Sequence, residues 1–479
     1  MKIWWGAVLV VIVGLWSVWP MVKNPAQVPD FGSDGVLLTW IFNQDSLFEG
    51  NIFYPYQRVL AYSDRQLLTH FATRLPVMLA QDPAVAFGFA MVFGQVLTLL
   101  IVYVFWAQVT KNHGGALVAT VLFGLAQTRF EYQVHLQMFS MQYWLLGLLL
   151  VFNYIKKRRW QYLCIGGLFL GGQFWESLLP IYFSALVLSV WWVSFKLRLN
   201  RQVILAVCLS FLIMFPMAKS YYQVSRQFGV TRSIRESAHN ALSVDDLWQK
   251  AANPAVYIVG LALLLTSSRY SRRGHRWLWF VLGIAAIMSL GPALKWHDQT
   301  VKILEIPIPL PYAVLHYTIP GFEALRTPSR WWLLVIWSAS GLIAASLNPR
   351  LRWWQGALLV GIAIVGGTRL THVRALPNPA EYPAVYSWLT DQPWKTVLEL
   401  PVYTWPEERT ETNRMLYSLQ HRKRLVNGYS GFTPPTVFTI TSSSYPEVDY
   451  IVSHLEEEGG TMNREILYQD ETTVVYSGR

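Results

Sequence analysis

Residues 24–83 read NPAQVPDFGSDGVLLTWIFNQDSLFEGNIFYPYQRVLAYSDRQLLTHFATRLPVMLAQDP. The stretch is polar, aromatic and acidic, yet apolar runs long enough to cross a bilayer flank it on both sides. Connections of this length between two spans are uncommon without a task of their own. It carries Asp30, Asp34, Asp45, Glu49 and Asp64 together with Tyr54, Tyr56, Arg58, Tyr62, Arg65 and His70. Residues 34–48 and 63–79 have the pattern of two short amphipathic helices lying along an interface, interrupted by NIFYP.

Outward from that loop, the chain of 479 residues is 53% apolar, 15% aromatic and 14% charged. A soluble domain carries roughly 25% charged residues. Apolar runs recur near 84–107, 115–126, 136–155, 160–174, 177–195, 202–218, 254–268, 276–292, 331–347 and 353–367. With the N-terminal run, read as a retained span rather than a cleaved signal, they predict a polytopic α-helical membrane protein of about eleven transmembrane helices. Its 23 tryptophans and 24 tyrosines suit two membrane interfaces. The two cysteines, Cys164 and Cys208, lie in apolar runs and read as small core residues.

Charge fixes the expected orientation. Lys111, the run Lys156 to Arg159, Lys196, Arg198, Arg201, Arg269, Arg272, Arg273, Arg276, Arg350 and Arg352 all fall in loops on one side. That side is cytoplasmic by the positive-inside rule, and so is the N-terminus. The distribution explains the net charge of +11 without nucleic-acid binding. From residue 376 onward 14 acids face 8 Lys plus Arg, a local net of −6. There TVLELPV, RLVNGY, DYIVSHL and ILYQDETTVVYS read as short strands and EYPAVYSWLTDQ as a helix start. Two domains are expected: residues 1–375, transmembrane with a large first outer loop, and residues 376–479, a soluble extracytoplasmic α/β domain. IPIPLPY is too rich in proline for a helix and reads as extended.

The outer segments hold a succession of phrases that resembles the GT-C glycosyltransferases, polytopic enzymes that take a sugar from a polyprenyl phosphate. Protein O-mannosyltransferases and the aminoarabinose transferase of lipid A belong to that superfamily, and the closer likeness is to a bacterial branch of it. Asp34 precedes Leu38 and Trp40 as in the branch's first-loop helix. NIFYP at Asn51 to Pro55 and LAYSD at Leu60 to Asp64 follow. Then come His135, Leu136 and Gln137, the outer segment with Arg232, Glu236 and Ser237, PGFEALRTPSR before a late span, and NGYSGFTPP at Asn427 to Pro435. Arg65 departs from the His or Glu expected after YSD.

The resemblance implies a membrane glycosyltransferase of the cytoplasmic (inner) membrane that moves a sugar from a polyprenyl-phosphate donor to an acceptor glycan, lipid or protein. Such chemistry needs a carboxylate to take the acceptor's proton and cations to hold the leaving phosphate. Asp34 is the expected base, with Asp30 and Asp64 behind it; the alternative for Asp30 and Asp34 is helix capping. Arg232, Arg235, Arg326 and Arg330 are the expected phosphate ligands, because guanidinium forks match phosphate oxygens; the alternative is anchoring at lipid headgroups. Lys219 has the same two readings. Glu236, His135, Gln137 and Tyr54 complete the expected substrate contacts. His135 and Glu131 lie four residues apart, with Glu176 at another outer helix end, but two ligands do not make a metal site. A divalent metal is the one cofactor these groups suggest, and no metal ligands are assigned. Asn427 and Tyr429 have two readings, acceptor binding or shaping a loop. Two other classes compete with transfer: a transporter or flippase of lipid-linked saccharides, and a non-catalytic scaffold on the same fold.

Overall fold

An apolar run in lipid must satisfy its own backbone hydrogen bonds, so these runs become helices. The computed structural model describes residues 3–229, 232–249, 275–319, 321–347, 353–403, 407–441, 444–455, 462 and 464–478. Among them, Val85–Thr110, Leu136–Lys157 and Arg201–Phe228 are each long and apolar enough to cross a membrane. Other runs give shorter helices: Trp4–Ser17, His113–Gly124, Leu179–Ser194 and Arg276–Ser289, with Trp160–Gly172, Trp332–Ser346 and Trp353–Val365. A helix of 13 residues such as Trp160–Gly172 spans only about 20 Å, against a hydrocarbon core of about 30 Å. Among the described residues the count of about eleven spans is thus not confirmed: several runs give shorter helices, as where Gln173–Trp175 turns into a 3-10 helix. The run 254–268, with Arg269, Arg272 and Arg273, lies outside the described residues, as do Arg350 and Arg352.

The residues group into two compact units. One comprises Met1–Trp19, Val92–Phe215 and Gly229–Thr371; the other comprises Pro20–Met91, Pro216–Phe228 and His372–Arg479. In the first, helical, unit the core is aromatic. Trp106 and Trp337 lie 4.8 Å apart by ring centroids, and Phe105, Trp144, Trp191 and Trp277 ring them. Gly341 admits this packing, since a Cβ there would sit 2.3 Å from the Trp106 ring. The tryptophans thus serve packing as well as the interface. Helix Arg201–Phe228 exposes Ile204, Leu205, Phe211, Leu212 and Phe215, an apolar surface suited to lipid.

The second unit joins the first loop to the tail. Gln27–Pro29 pairs antiparallel with Val373–Ala375. The tail builds a mixed five-stranded sheet in the order Ile466–Gln469, Thr473–Ser477, Tyr450–His454, Thr396–Leu400, Arg424–Leu425. The pairs to either side of Thr396–Leu400 are parallel and the rest antiparallel. All five residues of Thr396–Leu400 are buried, as a strand covered on both faces requires. Helix Ala384–Asp391 lies where a helix start was read, whereas helix Glu408–His421 was not foreseen.

The first loop does contain two helices, Asp34–Phe42 and Leu67–Ala80. The first is not interfacial: Gly35 through Phe42 are all buried, and the helix packs against Glu408–His421. The second buries Thr69, His70 and Thr73 and exposes Phe71, Leu75, Met78 and Leu79, so its apolar face is turned outward, as an interfacial helix requires. The proline-rich stretch is extended from Ile306 to Leu310, with Pro309 bridged to Ala293, and turns helical at Pro311–Thr318 with proline in the first turn.

Candidate active site

Within the loop–tail unit the three first-loop carboxylates occupy different surroundings. Asp34 opens helix Asp34–Phe42, where a negative charge suits the helix dipole. Ser33, not Asp30 or Asp34, holds the cap position, so capping accounts for neither aspartate. Asp34 is half-buried, and its Oδ1 accepts a hydrogen bond of 3.2 Å from the Tyr429 hydroxyl. Asp30 is exposed and paired: Arg409 Nη2 lies 3.1 Å and Arg374 Nε 3.9 Å from its Oδ1. Its backbone N–H donates to His372 O at 3.1 Å. Asp64 is half-buried and follows the 3-10 turn Val59–Tyr62.

Arg65, the departure from the family pattern, is fully buried. Its guanidinium donates to the carbonyls of Ile41 at 3.3 Å, Ser46 at 3.1 Å and Leu47 at 3.3 Å. It therefore closes the C-terminal end of the Asp34 helix, satisfying carbonyls that the helix leaves open. Tyr54 is a packing residue: its ring lies against the tail core of Leu398, Leu400 and Val426, and its N–H donates to Leu425 O at 2.8 Å. An aromatic group follows it, with Tyr62, Phe228 and Phe432 within 5.7 Å of one another by centroid and Tyr56 5.2 Å from Phe228. Asp45 pairs with Arg74 at 2.7 Å, and Glu49 accepts from the Arg58 N–H at 2.8 Å.

The tail motif NGYSGFTPP divides by residue. Asn427 is fully buried, donating to Glu411 Oε2 at 2.6 Å and accepting from the Glu399 N–H at 3.1 Å. That bonding assigns it to shaping the loop, whereas Tyr429 reaches Asp34. Around Asn427 lies a buried charged group the sequence did not announce. Glu399 accepts from Tyr386 at 2.7 Å and contacts His454 at 2.9 Å, and Arg414 lies 3.1 Å from Glu411. Burial alone pushes the Glu399 carboxyl up, but His454, Arg414 and Tyr386 outweigh it and hold it below its ordinary value.

The helical unit gathers the expected phosphate ligands into two groups. Arg232 and Arg326 both approach Glu236 Oε1, each at 3.5 Å, so one carboxylate is shared by two guanidinium groups. Glu236 sits on the short helix Ile234–His239, capped by Ser233, and Arg326 precedes the turn Pro328–Trp331. Arg330 lies over the Tyr132 ring at 5.9 Å, and that ring meets His135 at 6.4 Å. Gln137 is in the adjoining turn Leu136–Phe139, while Arg235 and Lys219 are exposed. Nearby, Arg129 is fully buried between the Phe123 and Phe139 rings and donates to Gln95 at 2.9 Å and Gly124 O at 3.0 Å. Among the described residues no group of three His, Cys, Asp or Glu is placed to hold a metal ion.

No protein-family model matches the chain, and no curated protein is similar to it in sequence. Solved structures are similar in fold. The arabinofuranosyltransferase AftD from Mycobacteria aligns over 99% of this chain with a TM-score of 0.58 and 12% identity. The oligosaccharyltransferase of Archaeoglobus fulgidus, solved with a tethered acceptor peptide, aligns over 100% of this chain with a TM-score of 0.52 and 13% identity. This chain spans 39% of the mycobacterial protein's length and 74% of the archaeal one's. The chain shares its fold with these two glycosyltransferases.

Proposed function

We propose that the chain is a membrane glycosyltransferase that moves a sugar from a polyprenyl-phosphate donor to an acceptor at the extracytoplasmic face of the cytoplasmic membrane. The observation that carries the reading is Asp34, a half-buried carboxylate at the start of the first-loop helix, in a chain with the GT-C fold. In the proposed step an acceptor hydroxyl attacks the anomeric carbon of the sugar. A new C–O bond forms, and the bond to the phosphate oxygen breaks. Polyprenyl phosphate leaves with the electron pair, and Asp34 takes the hydroxyl proton.

Charge grows on the leaving phosphate, and Arg232 and Arg326 are the groups assigned to it. Both approach Glu236 Oε1, so their guanidinium groups are gathered at one place. Arg330 and Arg235 are assigned supporting roles at the donor, with His135 and Gln137 beside it. Placement favours Asp34 as the base: Asp30 is exposed with its Oδ1 held by Arg409 at 3.1 Å, whereas Asp34 is half-buried at the start of its helix.

The test uses the full chain in proteoliposomes with a polyprenyl-phosphate sugar, following release of polyprenyl phosphate. Asp34→Asn is expected to lower turnover at least 100-fold, within the range of about 10²–10⁴ for a lost general base, with insertion and expression unchanged. Turnover at the wild-type rate would exclude Asp34 as the base. Substrate flux without release of polyprenyl phosphate would favour a transporter.

A further inference from the structure

We propose that Arg374 and Arg409 form an oxyanion-binding site where the first loop meets the tail, one that takes a phosphate or a carboxylate group. It is separate from Arg232 and Arg326 and does not depend on the transfer reading. The strand pair of Gln27–Pro29 with Val373–Ala375 sets Arg374 opposite Val28. The Arg374 side chain is only 16% exposed. Its Nε and Nη2 are both buried and have no hydrogen-bond acceptor among the described residues. Asp30 is the nearest carboxylate, but at 3.9 Å from Nε it is beyond hydrogen-bond reach and is committed to Arg409 at 3.1 Å.

Two guanidinium groups therefore face one carboxylate, and one positive charge is left over.

Buried polar groups in native proteins are nearly always hydrogen-bonded, and an unused buried donor needs an explanation. Water could satisfy the donors but not the surplus charge. An oxyanion satisfies both, since a guanidinium fork presents two parallel N–H groups to two oxygens. Phosphate and carboxylate share that geometry, so an acidic saccharide and a phosphoryl group are both candidate ligands.

The test titrates the detergent-purified full chain calorimetrically with inorganic phosphate, sodium glucuronate and, as the neutral control, glucose. An Arg232→Gln, Arg326→Gln background removes the phosphate ligands assigned to transfer, so failure of either reading is seen separately. Phosphate or glucuronate is expected to bind with a dissociation constant on the order of 1 mM, and glucose not at all. Which of the two anions binds more tightly identifies the source. Arg374→Gln should weaken binding at least 10-fold, as expected for lost hydrogen bonds to a charged group. Asp30→Asn should tighten binding about 3-fold or more by removing the competing carboxylate, a gain that misfolding does not produce. If neither anion binds, or if Arg374→Gln and Asp30→Asn both bind as the parent does, the donors are satisfied by water and the site does not exist.

Discussion

Asp30 and Asp34 carry the same functional group four residues apart, and their neighbours give them different chemistry. Asp30 accepts from Arg409 at an exposed strand end, with Arg374 farther off at 3.9 Å. Asp34 is half-buried and receives the Tyr429 hydroxyl. A hydrogen bond donated to a carboxylate favours its charged form, so Tyr429 is a positioning residue for the proposed base. Tyr429→Phe deletes that donor and little else. kcat for release of polyprenyl phosphate should then fall about 10-fold, as expected for a lost hydrogen bond to a charged group, with KM for the donor nearly unchanged. An unchanged kcat, or a loss that falls on KM alone, would show that the contact does not position Asp34. The sequence phrase around Asp34 was readable, but its partner lies 395 residues away. A short tyrosine-to-aspartate contact across that separation leaves no local pattern. The same holds for Asn427, whose role depends on Glu411 and Glu399 being buried beside it.

At the scale of elements, pattern found the start of the Asp34 helix but not its end. The expected helix ran to residue 48, whereas the observed one stops at Phe42. The cause is Arg65, which takes the carbonyls of Ile41, Ser46 and Leu47 and so supports an irregular stretch that would otherwise leave them bare. Arg65→Met keeps the bulk and removes three donors. It should cost roughly 3 kcal/mol or more, since hydrogen bonds to a charged group contribute about 1.5–3 kcal/mol each, read as a lowered unfolding midpoint in detergent. An unchanged midpoint would mean that the carbonyls find other donors. Helix Glu408–His421 was missed for a related reason. Its buried face holds Glu411, Thr412 and Arg414, so hydrophobic periodicity gives no signal of it. The helix ends at His421, whose Nδ1 accepts the Lys423 N–H at 3.0 Å and whose ring stacks on Tyr386. Burial pushes the His421 imidazole down to about 4. Between about pH 6.5 and pH 4 the unfolded chain therefore binds the proton that the folded chain refuses, and stability must fall as pH falls through that window. His421→Asn keeps an acceptor near the Nδ1 position and cannot titrate. It should flatten the pH dependence of Tm between pH 6.5 and 4 and leave Tm above pH 7 nearly unmoved. Equal slopes for the two proteins would show that His421 takes no part in acid sensitivity.

For the whole molecule, composition and the run of apolar segments were enough to predict a helical membrane protein, and the fold found by comparison is shared with an arabinofuranosyltransferase and an oligosaccharyltransferase. The number of spans was not readable in the same way. Hydropathy marks apolar stretches, but tertiary packing decides where a helix stops, and runs such as 115–126 give helices too short to cross alone, here His113–Gly124. Charge is the better guide to orientation, since the basic residues before residue 376 number 31 against 14 acids, and the tail reverses that balance. The cost of moving positive loops across the membrane is expected to keep Lys156 to Arg159 inside and to leave the tail outside, where transfer from a polyprenyl donor is proposed to occur. Labelling tests this directly. With Cys164 and Cys208 replaced by alanine, Lys157→Cys at an exposed helix end and Thr439→Cys on the exposed tail surface supply one thiol each. A membrane-impermeant maleimide applied to intact spheroplasts should label Thr439→Cys fully. Lys157→Cys should react only after the membrane is opened. The opposite pattern would invert the topology and move Asp34 and its neighbours to the cytoplasmic side, where the proposed reaction would require a different donor.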